Sequence, residues 1–427
     1  MLCGGNIELD KWNQRIINHA LRQCEEAEVF SYRRIEQELV SNNSKDKKYC
    51  IKESSQLSLR ILKDGHIGYS THSGKIDSCS DLVENALFTS KWGGAERISL
   101  SFGTLPLTDV RIYDKSMPTM ESFPQFVGEL ESKLKEKIST RYAYRVTTIQ
   151  DSIEVTDTTV RSMCYDKTIL NFLLITPEER FAWASCRNGL IEYIEKKCEI
   201  NTNLFPIVSL SKTPEYVAVS PSAFRSIIYK IIALQFNGKR ISTEGCNNVS
   251  FNRDLSIIDD GIQDWMTGSQ PFDDEGTTCK SYYLIENGEF ISGYFDKKTA
   301  FAMNFPSTGN ARRSWGTPPN PSINNLLVEI KKGVPLQTLI GAINYGLYIT
   351  DLLDLEGDAI NWKYQGLIKR AELIVNGHPQ GIVRNVPIKI DVYKLLNDIE
   401  LSATDYTNVG GNMRCCSILC SNKIIID

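Results

Sequence analysis

Ser58-Leu59-Arg60-Ile61-Leu62-Lys63-Asp64-Gly65-His66-Ile67-Gly68-Tyr69 is a hairpin written in residue types. Leu57, Leu59 and Ile61 alternate with polar neighbours and so share one face of a strand, with Ile67 and Tyr69 returning on a second. Between them, Asp64-Gly65 is a dipeptide that tolerates the positive φ angles of a two-residue turn. The run Glu28 to Val40 supplies a further strand for the same antiparallel sheet.

Helical spacing surrounds this hairpin. Trp12, Ile16, Ile17, Leu21 and Cys24 recur at steps that place one buried stripe on a helix from Leu9 to Cys24. A helix over Asp81 to Lys91, capped by Ser80, follows, and another from Phe123 to Ile138 carries Phe126, Leu130, Leu134 and Ile138. Arg145 to Tyr193 is rich in Thr, Val, Ile and aromatic residues and reads mostly as strands, with turns at Asp151-Ser152 and Asn188-Gly189. The expected class is α+β, with N-terminal helices packed on an antiparallel sheet.

Around Asn201 to Ser222 the periodicity lapses and Pro206, Pro214 and Pro221 appear, so a boundary is placed there, giving an N-terminal α+β domain over 1–205 and a β-rich domain over 206–427. The second opens with a helix beginning beside Pro221, running through Phe224, Ile227, Ile228, Ile231 and Ile232, and stopping at Asn237-Gly238 in a left-handed glycine cap. Hairpins follow at Ser281 to Phe295 and Ala371 to Val383, turning on Asn287-Gly288 and Asn376-Gly377, with short helices over Leu336 to Tyr345 and Val392 to Ile399. A strand-dominated, barrel-like second domain is the expectation.

The chain has 427 residues, enough for two or three domains. With 48 basic and 52 acidic side chains, its net charge of -4 offers no broad attraction to nucleic acid or anionic lipid. The longest apolar stretch, near Ile227 to Phe236, is too short to span a bilayer, and Met1 to Asn6 lacks the form of a secretory signal, so a cytoplasmic location is expected. Twelve cysteines are scattered without Cys-x-x-Cys or a paired framework, and Cys415, Cys416 and Cys420 read as buried free thiols.

Familiar catalytic motifs are missing. Only His19, His66, His72 and His378 occur, and no helix can present two of them to zinc. No phosphate loop, nucleophile elbow or dinucleotide fingerprint is present, and Ser132-x-x-Lys135 sits on a solvated Lys/Glu face without its companion motifs. The carboxylates Asp273, Asp274 and Glu275, followed by Gly276, fit a polar turn, a ligand or peptide contact, or a hard-cation site. Ser307-Thr308-Gly309-Asn310-Ala311-Arg312 fits either a surface loop or an anion or peptide-carboxylate pocket.

Taken in order, the Ser58–Tyr69 hairpin, Pro271-Phe272-Asp273-Asp274-Glu275-Gly276, Leu284-Ile285-Glu286-Asn287-Gly288 and Ser307-Thr308-Gly309-Asn310-Ala311 resemble the TldD/PmbA family, once called modulators of DNA gyrase. The resemblance runs over most of the chain. It implies one of two subunit kinds. The TldD kind carries H-E-x-x-x-H on the helix ahead of the acidic motif, with a cysteine near the C-terminus as third zinc ligand. The PmbA kind, also called TldE, lacks that motif.

The corresponding helix here reads Phe224-Arg225-Ser226-Ile227-Ile228-Tyr229-Lys230-Ile231-Ile232-Ala233-Leu234-Gln235-Phe236, without His, Glu, Asp or Cys. Arg225, Ser226, Tyr229 and Lys230 stand where metal ligands would. Cys415 or Cys416 corresponds to the family's metal-binding cysteine but lacks paired imidazoles. The sequence departs from the family around Asp354 to Trp362, where only Gly357 remains of a glycine-rich stretch, and at Lys369-Arg370-Ala371-Glu372.

The resemblance thus implies no catalytic or metal-binding residue in this chain, and zinc in a TldD-like partner of a heterodimeric protease. Unfolded or precursor peptides would be the substrate, possible leader removal from ribosomally made peptides included. Asp273, Asp274, Glu275, Gly276, Ser307, Thr308, Gly309, Asn310 and Arg312 would line the groove or touch the partner. Two alternatives stay open: a peptide-binding homodimer without protease activity, and a hydrolase acting alone through Asp273, Asp274 and Glu275.

Overall fold

In the computed structural model, Asp64 and Gly65 take φ of 51° and 76°, as the turn requires, and Lys63 pairs with His66 across it. The structure describes residues 7–42, 46–74, 76, 78–95, 98–102, 108–138, 140–177, 180–197, 205–244, 250–358, 360–421 and 424–426.

The N-terminal sheet comprises β1 (Glu26–Asn42), β2 (Asp46–Lys63), β3 (His66–Ser73), β4 (Ala143–Thr156), β5 (Ser162–Ile175) and β6 (Arg180–Ser185), ordered β3-β2-β1-β4-β5-β6 and antiparallel throughout. Helices α1 (Ile7–Ala20) and α2 (Ser80–Ser90) cover one end of its outer face, where Ile16, Ile17, Val83 and Ala86 meet Val29, Leu59 and Ile61. Helices α3 (Phe123–Lys137) and α4 (Leu190–Lys197) cover the other end, with Leu130 and Leu134 against Val146 and Phe172. Side chains alternate across strands, so the opposite, inner face carries Glu28, Phe30, Arg60, Ile153 and Val155. Phe30, Ile153 and Val155 pack there against Phe102 and Phe272 from beyond the sheet.

The C-terminal part contains β7 (Tyr216–Val219), α5 (Pro221–Gln235), α6 (Gly238–Glu244), β8 (Leu255–Asp260), β9 (Ser281–Glu286), β10 (Glu289–Phe290), α7 (Lys297–Ala302), β11 (Ala311–Arg312), β12 (Asn320–Pro321), β13 (Leu326–Ile330) and α8 (Leu336–Gly341). Beyond these lie β14 (Tyr345–Asp358), β15 (Lys363–Val375), β16 (His378–Val383), β17 (Val386–Asp391), α9 (Val392–Asn397), β18 (Ile399–Ser402), β19 (Thr407–Val409), β20 (Met413–Cys415), β21 (Ile418–Ser421) and β22 (Ile424–Ile426). They form a sheet β10-β9-β8-β13-β20-β19, a curled half-barrel β18-β21-β7-β14-β15-β17-β22 with β16 beside β15, and the small pair β11-β12.

The core of this part is α5. Ser220 caps it through a hydrogen bond from the Ala223 amide, Pro221 supplies the first turn, and Phe224, Ile227, Ile228, Ile231 and Ile232 are fully buried between the two large sheets. Each such side chain contributes about 1.5–3 kcal/mol through burial.

The α+β class with a strand-rich, barrel-like second half stands. Several local expectations change. Asp151-Ser152 lies inside β4 rather than at a turn, because Asp151 takes 2.8 Å hydrogen bonds from Arg34 Nε and Nη2 on the neighbouring strand. The turn falls at Asp157, whose Oδ1 accepts from the amides of Thr159 and Arg161. Ser80 is the first residue of α2 rather than its cap. Gly238 is not a left-handed cap but begins α6; a Cβ there would meet Phe295 Cδ1 at 2.5 Å, so glycine serves close approach. Cys164 is disulfide-bonded, which the scattered cysteine spacing did not foretell, while Cys415, Cys416 and Cys420 are buried free thiols as expected.

Candidate functional site

Because Phe224, Ile227, Ile228, Ile231 and Ile232 turn inward, α5 presents Ser226 and Lys230 to solvent and leaves Arg225 and Tyr229 half-buried at the margin. Arg225 Nη2 donates to Asn412 Oδ1 at 3.0 Å, Asn412 Nδ2 donates to the Tyr229 hydroxyl at 2.7 Å, and the guanidinium lies 4.6 Å from the centre of the Tyr229 ring. Burial pushes the Tyr229 phenol up. Asn412 is the member of this cluster that sequence reasoning missed. Its signal is the adjacent Gly410-Gly411 pair, both at positive φ; a Cβ on Gly410 would come within 2.9 Å of Arg225 Cζ.

Cys415 lies at the start of the same helix, its thiol donating to the Pro221 carbonyl at 3.4 Å. Burial pushes that thiol well up, and Cys416 to about 11, so neither is a ready thiolate ligand. The donor set does not fit zinc: α5 carries no His, Cys, Asp or Glu, and among the described residues no three such side chains gather as a group able to hold a metal.

The acidic loop and the Ser307–Arg313 loop come together, but inward. Asp273 Oδ1 accepts from the amides of Glu275 and Thr277 at 3.0 and 2.8 Å, and its Oδ2 accepts from the Ala311 amide at 2.9 Å. Asp274 Oδ2 accepts from the Arg313 amide at 2.6 Å. Glu275 Oε1 accepts from Arg60 Nη1 at 2.5 Å and its Oε2 from the Lys297 amide at 2.7 Å. Arg60 also donates to Glu28 at 2.8 Å, and Arg313 pairs with the same Glu28.

Beneath this network, Asn310 Nδ2 donates to Asp259 at 2.5 Å, Tyr282 donates to Asn310 Oδ1 at 2.9 Å, and Thr308 donates to Asn310 Oδ1 at 2.7 Å. Arg312 pairs with Asn324, which also donates to Asp259. Ser307 is half-buried, its hydroxyl donating to the Phe295 carbonyl. Gly276 and Gly309 hold φ of 72° and 78°, and each would drive a Cβ into a neighbour, Phe102 Cε1 at 2.2 Å for Gly276 and the Thr278 carbonyl oxygen at 2.7 Å for Gly309.

Burial raises Asp259 to about 6 and pushes Asp274 up; burial and the Glu275 carboxylate push Asp273 up. Asp273, Glu275 and Asn310 have no exposed surface. Their partners in these bonds belong to the chain itself: Asp273 and Asn310 tie the C-terminal loops to one another, and Glu275 ties them to Arg60 of the N-terminal sheet. Sequence spacing carries no information on the direction in which these side chains point.

Residues 215–426 match the family model of the PmbA/TldA metallopeptidase C-terminal domain. A metalloprotease TldD homolog of Buchnera aphidicola is 30% identical over 169 residues, 39% of this chain and 33% of that protein. A metalloprotease of Synechocystis is 28% identical over 155 residues, 36% of this chain and 33% of its own length. The matched stretch thus spans about a third of these curated relatives. The crystal structure of TldE from Thermococcus kodakarensis shares the fold with a TM-score of 0.77 at 16% identity, over 96% of this chain and 99% of that one.

Proposed function

Because the chain belongs to the TldD/PmbA family of metallopeptidases, we propose that it is the non-catalytic, TldE-like subunit of a heterodimeric zinc protease whose TldD-like partner, bearing H-E-x-x-x-H, supplies metal and water. The observation that supports this reading is the margin of α5, the helix that the resemblance aligns with H-E-x-x-x-H, where Arg225 and Tyr229 are tied to Asn412 and to each other. A guanidinium cannot ligate a cation, and its charge repels one.

The substrates in this reading are unfolded or flexible peptides, leader removal from ribosomally made precursors among them. Extended chains suit strand-rich surfaces because main-chain hydrogen bonds give affinity independent of sequence. Ser226 and Lys230, exposed on α5, are well placed to meet a partner or peptide. Asp273, Asp274, Glu275, Gly276, Ser307, Thr308, Gly309, Asn310 and Arg312 shape that surface from below by fixing the loops.

Affinity purification of the tagged chain from its native host tests the pairing. Recovery of an H-E-x-x-x-H protein in equal amount is the expected result; recovery of a homodimer alone would replace the proposal with the stand-alone carrier.

A further inference from the structure

On the inner face of the N-terminal sheet, beyond the part covered by the C-terminal loops, three strands set their side chains in rungs. Arg145, Leu173 and Ala182 pair across β4, β5 and β6, and Thr147, Asn171 and Ala184 form the next rung. Together with Arg180 they line a cleft that closes at Gly410, the glycine pressed on Arg225. Arg145 keeps about half of its side chain exposed at 56%, although its Nε pairs with Glu38 at 3.2 Å, and Arg180 is exposed.

Two cations therefore sit in a cleft whose described lining includes no acidic side chain, on a chain of net charge -4. Exposed Ala182 leaves room above the sheet, while Gly411 closes over Ala184 at the inner end; half-buried Asn171 offers hydrogen bonds and Leu173 apolar contact. At its far side the cleft reaches β6, the terminal strand of the sheet among the described residues, the kind of edge that can receive another extended segment.

We propose that this cleft takes an extended, acidic stretch of the peptide, with Arg145 and Arg180 pairing its carboxylates. The proposal rests on the peptide-handling reading above and narrows it to a substrate class. The two guanidiniums reach one strand face from β4 and β6, so a peptide strand lying over the rungs would meet both through side chains that alternate along it.

Fluorescence anisotropy on the full chain tests this with a labelled peptide alternating Glu and Val, and the same peptide with Gln for every Glu. The acidic peptide is expected to bind about tenfold more tightly at low salt, the size two exposed ion pairs can supply. The double substitution R145A/R180A should remove that preference, and R180E should shift it toward a Lys/Val peptide. Both side chains are solvated, and circular dichroism with an unchanged urea midpoint would confirm that the variants fold. Equal affinity for the two peptides, or a preference that survives R145A/R180A, would overturn the acidic-peptide proposal. Recovery of the metal-bearing partner is a separate measurement, so either idea can fail without the other.

Discussion

Arg60 on β2 donates to Glu275 at 2.5 Å across 215 positions of sequence, and both side chains are almost wholly buried. Glu28 closes the other side of the same guanidinium at 2.8 Å. The N-terminal sheet and the acidic loop of the C-terminal part are therefore joined through a charge cluster with little access to water.

Removing the cation should be costly. Arg60→Ala leaves two buried carboxylates without their shared partner, and a loss of about 3–5 kcal/mol is expected. Arg33→Ala, which breaks an exposed pair with Glu53, should cost at most about 1 kcal/mol. Urea unfolding of the two variants beside the parent chain checks the contrast; equal small losses would show that the Arg60 cluster does not fasten the halves.

The pH dependence follows from the same burial. Asp259 is raised from 3.8 to about 6 in the folded chain, so between those values the folded state holds the proton more firmly than the unfolded. Its contribution is full below pH 3.8 and is lost as pH rises to about 6, up to about 3 kcal/mol. Burial also pushes Glu28 up, but Arg60 and Arg313 overcome that and hold it below its ordinary 4.5, so its contribution is lost as pH falls. Asp259→Asn should therefore flatten the decline between pH 3.8 and about 6 while leaving the acid limb. Unfolding midpoints across that range test it, and an unchanged slope would contradict the assignment.

Two glycines with the same backbone sign separate strain from crowding. Gly65 has φ of 76° and nothing within 4 Å of a notional Cβ, whereas Gly276 has φ of 72° and Phe102 Cε1 at 2.2 Å. Gly65→Ala should cost about 1 kcal/mol, the left-handed penalty alone. Gly276→Ala should cost several times as much, read as a larger fall in melting temperature.

How far these features could be read from sequence depends on the range of the interaction. The Asp64-Gly65 hairpin and α5 were legible because a turn dipeptide and a helical stripe are local signals. The Ala371–Val383 hairpin corresponds to the end of β15 with β16, but the longer pairing of β14 with β15 was not legible, since register shifts between Ile349 and Glu356 break its alternation. The inward direction of Asp273 and Glu275 was not legible at all. Their partners Ala311 and Arg60 stand 38 and 215 positions away, and spacing carries no information about burial.

Thiol chemistry gives an independent check on the buried cysteines near the C-terminus. Cys50 is exposed, whereas burial holds Cys415 and Cys420 well above the ordinary thiol range. Iodoacetamide at neutral pH, followed by peptide mass mapping, should modify Cys50 rapidly and reach Cys415 and Cys420 only in denaturant. Fast native labelling of Cys415 would mark it as an activated thiolate.

The most direct measurement is the zinc content and peptidase activity of the purified chain alone and after addition of an H-E-x-x-x-H partner. The account predicts far less than one zinc per isolated chain and no cleavage of an unfolded peptide, with chelator-sensitive cleavage appearing once the partner is present. Stoichiometric, tightly held zinc on the isolated chain, with cleavage abolished by chelation, would contradict it.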